Sequence, residues 1–414
     1  MRQAVRRRSS CRLCGGANLA RAFSLTATPP ANAFVSAAQL REVQPVFPLE
    51  VEFCRDCTHL QLGHVVDPRM LFEHYVYVSG TSSVFVRHFE AYAEWLWAFS
   101  GAPAGALVVD VGSNDGTLLR AFRNRGASVL GIDPAKRIAA EATRQGIETL
   151  AEFLTPQLAR RLAAERGRAS IVTANNVFAH IDELGAALDA VQELLAPDGV
   201  LSFEVSYLLD VLEKTLFDTI YHEHLDYHAL RPLIPFLRAH GFEPIEALRV
   251  ESHGGSLRVL AQRTGGGRSV GPSVPERLQQ ERGAGLDRLD TYQRFGRRID
   301  ALGQELLELL RHLKAEGRRI AGYGAPAKAT TLMHHFHIGR DAVEFLIDDS
   351  PWKQGLYSPG LHVPVLSPQA LDEKRPDYLL LLAWNFAGPI IEKNAAFRER
   401  GGKFIVPLPR LEVC

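Results

Sequence analysis

The sequence predicts an α/β protein with two open, mainly parallel sheets, preceded by a small cysteine module. Three observations carry that expectation. Short apolar runs alternate with amphipathic stretches over residues 76–264 and again over 316–414, the pattern of strands joined by crossover helices. In each stretch a glycine turn follows the first strand-like run and an aspartate closes the next, Gly112 with Asp133 and Gly324 with Asp348. Four of the five cysteines form two C-x-x-C pairs, Cys11/Cys14 and Cys54/Cys57.

Bulk properties bound the function. A chain of 414 residues is long for one domain. Hydrophobic content of 46% and charged content of 23% are those of a soluble globular protein. Forty-seven basic residues balance 47 acidic ones, which argues against a nucleic-acid partner, because phosphate binding calls for a basic excess. No apolar run approaches the roughly 20 residues of a membrane span, and the N-terminus lacks the apolar core of a secretory signal. A cytoplasmic protein, monomeric by default, is expected.

Residues 1–75 form the cysteine module. Without a secretory signal, paired C-x-x-C motifs favour zinc over disulfides. Gly15 and Gly16 suit a tight knuckle after Cys14. Redox pairs and unliganded thiols are the alternatives. Four thiolates would close the zinc shell and leave no position for catalysis.

Residues 76–264 form the first α/β unit. Aromatics at helical spacing over 85–99 predict a helix. Strands are expected at 106–111, 128–132, 169–174 and 199–205, with a helix at 118–124. The glycine-rich stretch from Thr264 reads as a linker. Residues 265–315 are then linker and one charged amphipathic helix, about 286–315. Residues 316–414 form the second unit, with strands at 319–323, 344–347 and 378–383 and a helix at 328–335.

The turn Asp110-Val-Gly112-Ser-Asn114-Asp-Gly116 ends a strand and opens a helix. Glycines there let backbone N–H groups approach a ligand closely. Asp133, at the end of the next strand, is placed to accept both ribose hydroxyls. The spacing departs from G-x-G-x-x-G and argues against a pyrophosphate ligand. The turn resembles the first motif of class I S-adenosylmethionine methyltransferases, with a generic tight turn as the alternative. Phe153 follows a third strand and could cover an adenine or sit in the core. Asn175, Asn176 and His180 follow the strand at 169–174, on the side where open α/β sheets bind ligands.

The run Tyr221-His222-Glu223-His224 has three readings. The two imidazoles could hold a metal, the four side chains could form a structural hydrogen-bonded cluster, or they could do acid–base chemistry. In the last reading His224 is a base, Tyr221 and His180 stabilise an oxyanion, and Glu223 orients His224. Gly322-x-Gly324-x-x-Ala327 with Asp348 approximates a dinucleotide fingerprint and, alone, would suggest a dehydrogenase. Lys328 could face a phosphate or be solvated.

Taken together, the chain resembles the sugar C-methyltransferases that act on dTDP-4-keto-deoxysugars. The matching segments are Cys11-Arg-Leu-Cys14-Gly, Cys54-Arg-Asp-Cys57, Tyr75-Val-Tyr77-Val-Ser79-Gly80, the glycine turn, Ala174-Asn-Asn-Val-Phe-Ala-His180, Glu213-Lys-Thr-Leu-Phe-Asp-Thr-Ile-Tyr-His-Glu-His224, Ser252-His-Gly-Gly-Ser256-Leu-Arg258 and Gly322-Tyr-Gly-Ala-Pro-Ala-Lys328-Ala. Ser252 stands where a threonine is expected. The resemblance implies a zinc module, a class I methyltransferase core and a Rossmann-like C-terminal domain that helps hold a nucleotide-sugar linked to dTDP or GDP. It implies S-adenosylmethionine and structural zinc as cofactors. The cofactor would meet Asp110, Gly112, Asn114, Gly116, Asp133, Phe153, Asn175 and Asn176. The sugar would meet Tyr75, Tyr77, Ser79, His222, Ser256, Arg258 and Lys328. The rivals are an O- or N-methyltransferase on another small acceptor and a non-enzymatic zinc-ribbon adaptor.

Overall fold

The computed structural model describes residues 4–72, 83–252 and 254–414. The expected Tyr75, Tyr77 and Ser79 contacts lie outside the described residues.

In the cysteine module β1 (Val5–Arg7) pairs with β5 (His64–Val66), and β2 (Leu19–Thr28), β3 (Phe47–Cys54) and β4 (Leu60–Leu62) form an antiparallel sheet. The two cysteine knuckles meet at one end of β3. Gly15 sits at φ +73°, and a Cβ on Gly16 would collide with the Asp56 carboxylate. The four sulfurs lie within 4.8 Å of one another, with Cys11–Cys57 and Cys14–Cys54 each 3.5 Å apart, and all are free thiols. A tetrahedral Zn–S₄ shell has sulfur edges of about 3.8 Å, so the set fits zinc. The Cys57 thiol lowers Cys11 to about 5, whereas burial pushes Cys14 up to about 11 and the bond to Cys11 raises Cys57. Thiols this close cannot all lose their protons without a cation between them.

The central sheet has β6 (Leu107–Val111), β7 (Ser128–Ile132), β8 (Thr149–Leu150), β9 (Ala169–Asn175) and β10 (Leu195–Ser206) in parallel. Beyond a segment that includes β11 (Asp226–Tyr227) come β12 (Phe242–Val250) and β13 (Ser256–Arg263), which complete the sheet antiparallel beside β10. The order is β12-β13-β10-β9-β6-β7-β8, with β6 and β9 side by side in the middle. The strand β11 leaves this sheet and pairs instead with β4 of the cysteine module, Asp226 opposite Gln61 and Tyr227 opposite Leu60.

The C-terminal unit is a second open sheet. Its strands are β14 (Ile320–Tyr323), β15 (Leu346–Ile347), β16 (Val365–Leu366), β17 (Tyr378–Leu381), β18 (Lys403–Val406) and β19 (Glu412–Val413), in the order β16-β15-β14-β17-β18-β19. All but the last pair are parallel. The mainly parallel sheets expected from alternation are both present. One continuous core joins the three parts, from Leu49 and Val51 through Phe203 and Tyr207 to Leu332 and Phe336. No helix among the described residues is long and apolar enough to cross a membrane.

Two helices, Ser273–Ala284 and Leu289–Ala315, occupy the stretch where one was expected. The first has little apolar periodicity, and Pro275 near its start reads as loop. Its buried Glu281 explains its place. That carboxylate accepts the N–H groups of Leu230 and Arg231 at 2.6 and 2.9 Å, capping the helix Leu230–Ala239, and the Tyr207 hydroxyl at 3.0 Å.

Purified protein should carry about one zinc per chain, and Cys54→Ser should lose it and lower Tm by roughly 10 °C. Metal analysis and a thermal melt check this; a zinc-free, fully stable wild type would refute the assignment.

Candidate active site

The glycine turn leaves β6 with Gly112, Asn114 and Gly116 at φ +69°, +50° and +74°. A Cβ on Gly112 would collide with Val177, and one on Gly116 would lie 2.8 Å from Ile147. The turn is tied to the end of β7, where Asp133 accepts the Asn114 N–H at 2.9 Å and the Ala135 N–H at 2.9 Å. Burial raises the Asp133 carboxyl above its usual range, and those two N–H groups oppose the rise. Asp110 is buried beneath, accepts the Thr173 hydroxyl at 2.6 Å and is pushed up to about 7 by burial. At the end of β9 the Asn175 amide has both polar atoms buried with no hydrogen-bond partner among the described residues. Asn176 follows at φ +56°. A turn that excludes side chains, with a carboxylate at the strand end on one side and an orphaned amide at the strand end on the other, fits an adenosyl amino acid. Phe153 is 66% exposed, which removes the core reading of that ring.

The catalytic candidates converge on a second group. His224 Nδ1 lies 2.7 Å from the Thr219 carbonyl, and Nε2 lies 3.1 Å from the Tyr221 hydroxyl. A carbonyl only accepts, so Nδ1 carries the proton and Nε2 offers its lone pair to the phenol. The Tyr221 and His224 rings are 4.2 Å apart, and His180 meets His224 edge-on at 4.9 Å. Burial lowers His224 to about 4. Burial and the neighbouring His224 lower His180 to about 3. Both imidazoles are neutral at pH 7.

Other residues of the same run face elsewhere. The Glu223 carboxylate accepts from the Asn32 amide of the cysteine module at 2.9 Å, and burial raises it to about 7. The backbone carbonyl of Thr219, rather than Glu223, orients His224. His222 Nε2 pairs with the Phe47 carbonyl at 3.1 Å, its ring edge-on to Phe47, so it anchors the module instead of facing a sugar. Among the described residues no His222–His224 metal pair forms part of a metal-binding cluster. Ser256 is fully buried and bonds Ser252. The Arg258 guanidinium pairs with buried Glu204 at 2.7 Å and lies over Tyr92 at 3.8 Å. Lys328 is neither solvated nor open to a phosphate. It donates to Asn385 at 2.7 Å, lies 3.7 Å from Asp218 and covers the Trp384 ring at 4.2 Å. For Ser256, Arg258 and Lys328 the polar partners are internal to the fold. Asn32 and Trp384 carried no signal in the sequence; Asp218 and Thr219 lay inside the distinctive Glu213–His224 segment.

In the C-terminal unit Asp348 repeats the Asp133 arrangement, accepting the Ala325 N–H at 2.6 Å. Lys353 lies 3.9 Å from that carboxylate and donates to the Ala325 carbonyl at 2.9 Å.

Three family models match the chain in order: a zinc binding domain over residues 11–72, a methyltransferase domain over 85–247 and the C-methyltransferase C-terminal domain over 251–409. The C-methyltransferase NovU of Streptomyces niveus is 36% identical over 413 residues, covering 100% of this chain and 98% of that protein. A ubiquinone biosynthesis O-methyltransferase of Acinetobacter baylyi is 29% identical over 28% of this chain and 53% of its own length. The magnesium protoporphyrin IX methyltransferase of Synechocystis, solved with bound S-adenosylmethionine, overlaps 43% of this chain and 79% of its own at 19% identity and a TM-score of 0.33. With all three domains matched in order and NovU matched end to end, the chain belongs to the S-adenosylmethionine-dependent C-methyltransferases that carry an N-terminal zinc-binding domain.

Proposed function

We propose that the enzyme methylates C3 of a nucleotide-linked 4-keto-6-deoxyhexose, dTDP-linked in the first instance, in deoxysugar biosynthesis. The observation that carries this is the state of His224. It is neutral, held at Nδ1 by a carbonyl, with its basic nitrogen toward a phenol. A carbon beside a ketone becomes nucleophilic only as an enolate, so C-methylation needs such a base, and O- or N-methylation of an already nucleophilic atom does not. The second nucleotide-type sheet supports a nucleotide-linked acceptor.

S-adenosylmethionine supplies an electrophilic methyl on sulfur. The chain's own part is proton handling. The C3–H bond breaks, the proton passes to His224 Nε2, and the electron pair moves into the enolate. Tyr221 caps Nε2 in the resting site. When its hydroxyl turns to the ketone oxygen, it donates to the developing enolate and uncovers the base together. Neutral His180, edge-on to His224, is the second candidate donor to the enolate oxygen. The imidazolium formed is unfavourable in so buried a site, and the enolate beside it compensates. Forming the C3–methyl bond would then use the enolate electron pair as the methyl's bond to the sulfonium sulfur breaks, with S-adenosylhomocysteine as the leaving group.

Incubation with 4-keto nucleotide-sugars and labelled S-adenosylmethionine tests the substrate class; transfer only to oxygen or nitrogen would replace this reading. In D₂O the wild type should exchange the C3 hydrogen, with S-adenosylhomocysteine bound, before any methylation. His224→Ala should lose both exchange and transfer. Tyr221→Phe should slow both by about two to three powers of ten. Exchange that survives in His224→Ala would move the base elsewhere.

Asp133→Ala should weaken S-adenosylhomocysteine binding by about tenfold or more while the melt stays cooperative, since charge-assisted bonds to ribose are lost. Calorimetry measures this, and unchanged affinity would remove Asp133 from the ribose contact.

The pH profile follows from the lowered His224 value. Its neutral form is the active one and is lost only as pH falls through about 4. In Glu223→Gln, which removes the carboxyl titrating at about 7, kcat/KM should stay flat from pH 8 to about 5.5. A fall centred near 6.5 would mean that the base is an ordinary exposed imidazole.

A further inference from the structure

We infer that Asp218, held by Lys328 and Trp384 of the C-terminal unit, is a positioning residue for His224. The inference rests on the reading of His224 as the base.

The carbonyl that orients His224 belongs to Thr219, at the end of a single 3₁₀ turn, Phe217–Thr219. Its own bonds are short-range, from the Thr219 N–H and hydroxyl to the Leu216 carbonyl and from the Ile220 N–H to the Phe217 carbonyl, so they set the shape of the turn and not its place in the fold. Both residues flanking Thr219 are instead tied to the C-terminal unit. On one side the Asp218 carboxylate accepts the Trp384 indole N–H at 2.6 Å and faces Lys328 at 3.7 Å. On the other, the Thr331 hydroxyl donates to the Ile220 carbonyl at 3.0 Å. Phe217 packs on His335 and Phe336 at 5.8 and 5.0 Å.

The Asp218 side chain is fully buried, and its second oxygen has no hydrogen-bond partner among the described residues. Burying a carboxylate beside one lysine and one indole is a poor way to gain stability, because desolvation offsets the attraction and an apolar pair would do as well. It is a good way to fix a position, since a buried charge tolerates few alternative arrangements. The position fixed here is that of the next residue's carbonyl, and through it the tautomer and ring plane of His224. Lys328 opens the helix that follows the Gly324 turn. The cation that could have faced a phosphate is therefore spent on the segment that carries the base.

The test uses the full-length enzyme and two readouts. Histidine ¹⁵N resonances report the His224 tautomer and pKa without substrate. Steady-state kinetics with a dTDP-4-keto-6-deoxyhexose and S-adenosylmethionine report kcat and KM. Trp384→Phe keeps the ring under Lys328 and removes only the N–H. It should mix the His224 tautomers, lower its pKa further because the Thr219 carbonyl bond that favours the protonated ring is weakened, and lower kcat about tenfold with KM within about twofold. Lys328→Met should do the same or more. If it fails to fold, the Asp218→Asn/Lys328→Met double variant removes both charges together and should show the same signature. Unchanged His224 resonances and kcat in these variants would overturn the inference. A raised KM at constant kcat in Lys328→Met would also overturn it, in favour of a direct phosphate contact. C3 exchange surviving in His224→Ala would sink the base reading alone, and the resonances would still decide whether Asp218 positions that ring.

Discussion

The site depends on how one irregular segment is held. Residues 217–228 contain a 3₁₀ turn and a two-residue strand and no longer element. Nothing within the segment is stiff enough to fix the imidazoles of His222 and His224 and the Tyr221 phenol. Its partners come from every part of the chain. The cysteine module supplies strand β4 against Asp226–Tyr227, the Phe47 carbonyl for His222 and the Asn32 amide for Glu223. The central domain supplies the Ala179 carbonyl, which accepts the Leu225 N–H at 2.7 Å. The C-terminal unit supplies Thr331, Trp384 and Lys328. The three parts share one core because the segment between them needs all three.

Burial sets the chemistry as well as the geometry. The same loss of water lowers His180, His222 and His224 and raises Glu223 toward neutrality. The resting cluster is thus close to uncharged. A neutral, water-poor site strengthens each hydrogen bond aimed at a developing enolate. It also keeps the basic nitrogen of His224 free of a proton across the neutral range. In the proposed mechanism the cost is a weak base, which the Tyr221 hydroxyl would offset by donating to the enolate oxygen.

Much of this was legible in the sequence, and the division has a physical cause. The cysteine pairs, the turn from Gly112 to Gly116, Asp133, and the meeting of His180 with His224 follow from local spacing plus the rule that ligands bind at strand ends. The strand at 128–132 was expected with its observed bounds. The partners of Glu223, His222, Arg258 and Lys328 were not legible, because each lies across a domain boundary or a sheet and depends on packing. Arg258 shows the limit: it lies in a segment that matches the family, yet the side chain pairs with Glu204 inside the fold. The helix Ser273–Ala284 was missed for a related reason, since its value lies in one buried carboxylate and not in an apolar stripe.

The reach of the C-terminal unit into this segment bears on how such enzymes can be recombined. Its sheet is a self-contained layer, and an experimenter wishing to change acceptor preference would be drawn to transplant it whole from a relative. Yet Lys328, Thr331 and Trp384 meet Asp218 and Ile220 across the seam. A graft made at the linker would bring foreign side chains against a native segment. The unit of exchange set by these contacts is the C-terminal sheet together with residues 213–228, two stretches far apart in the chain that have to be inherited as one.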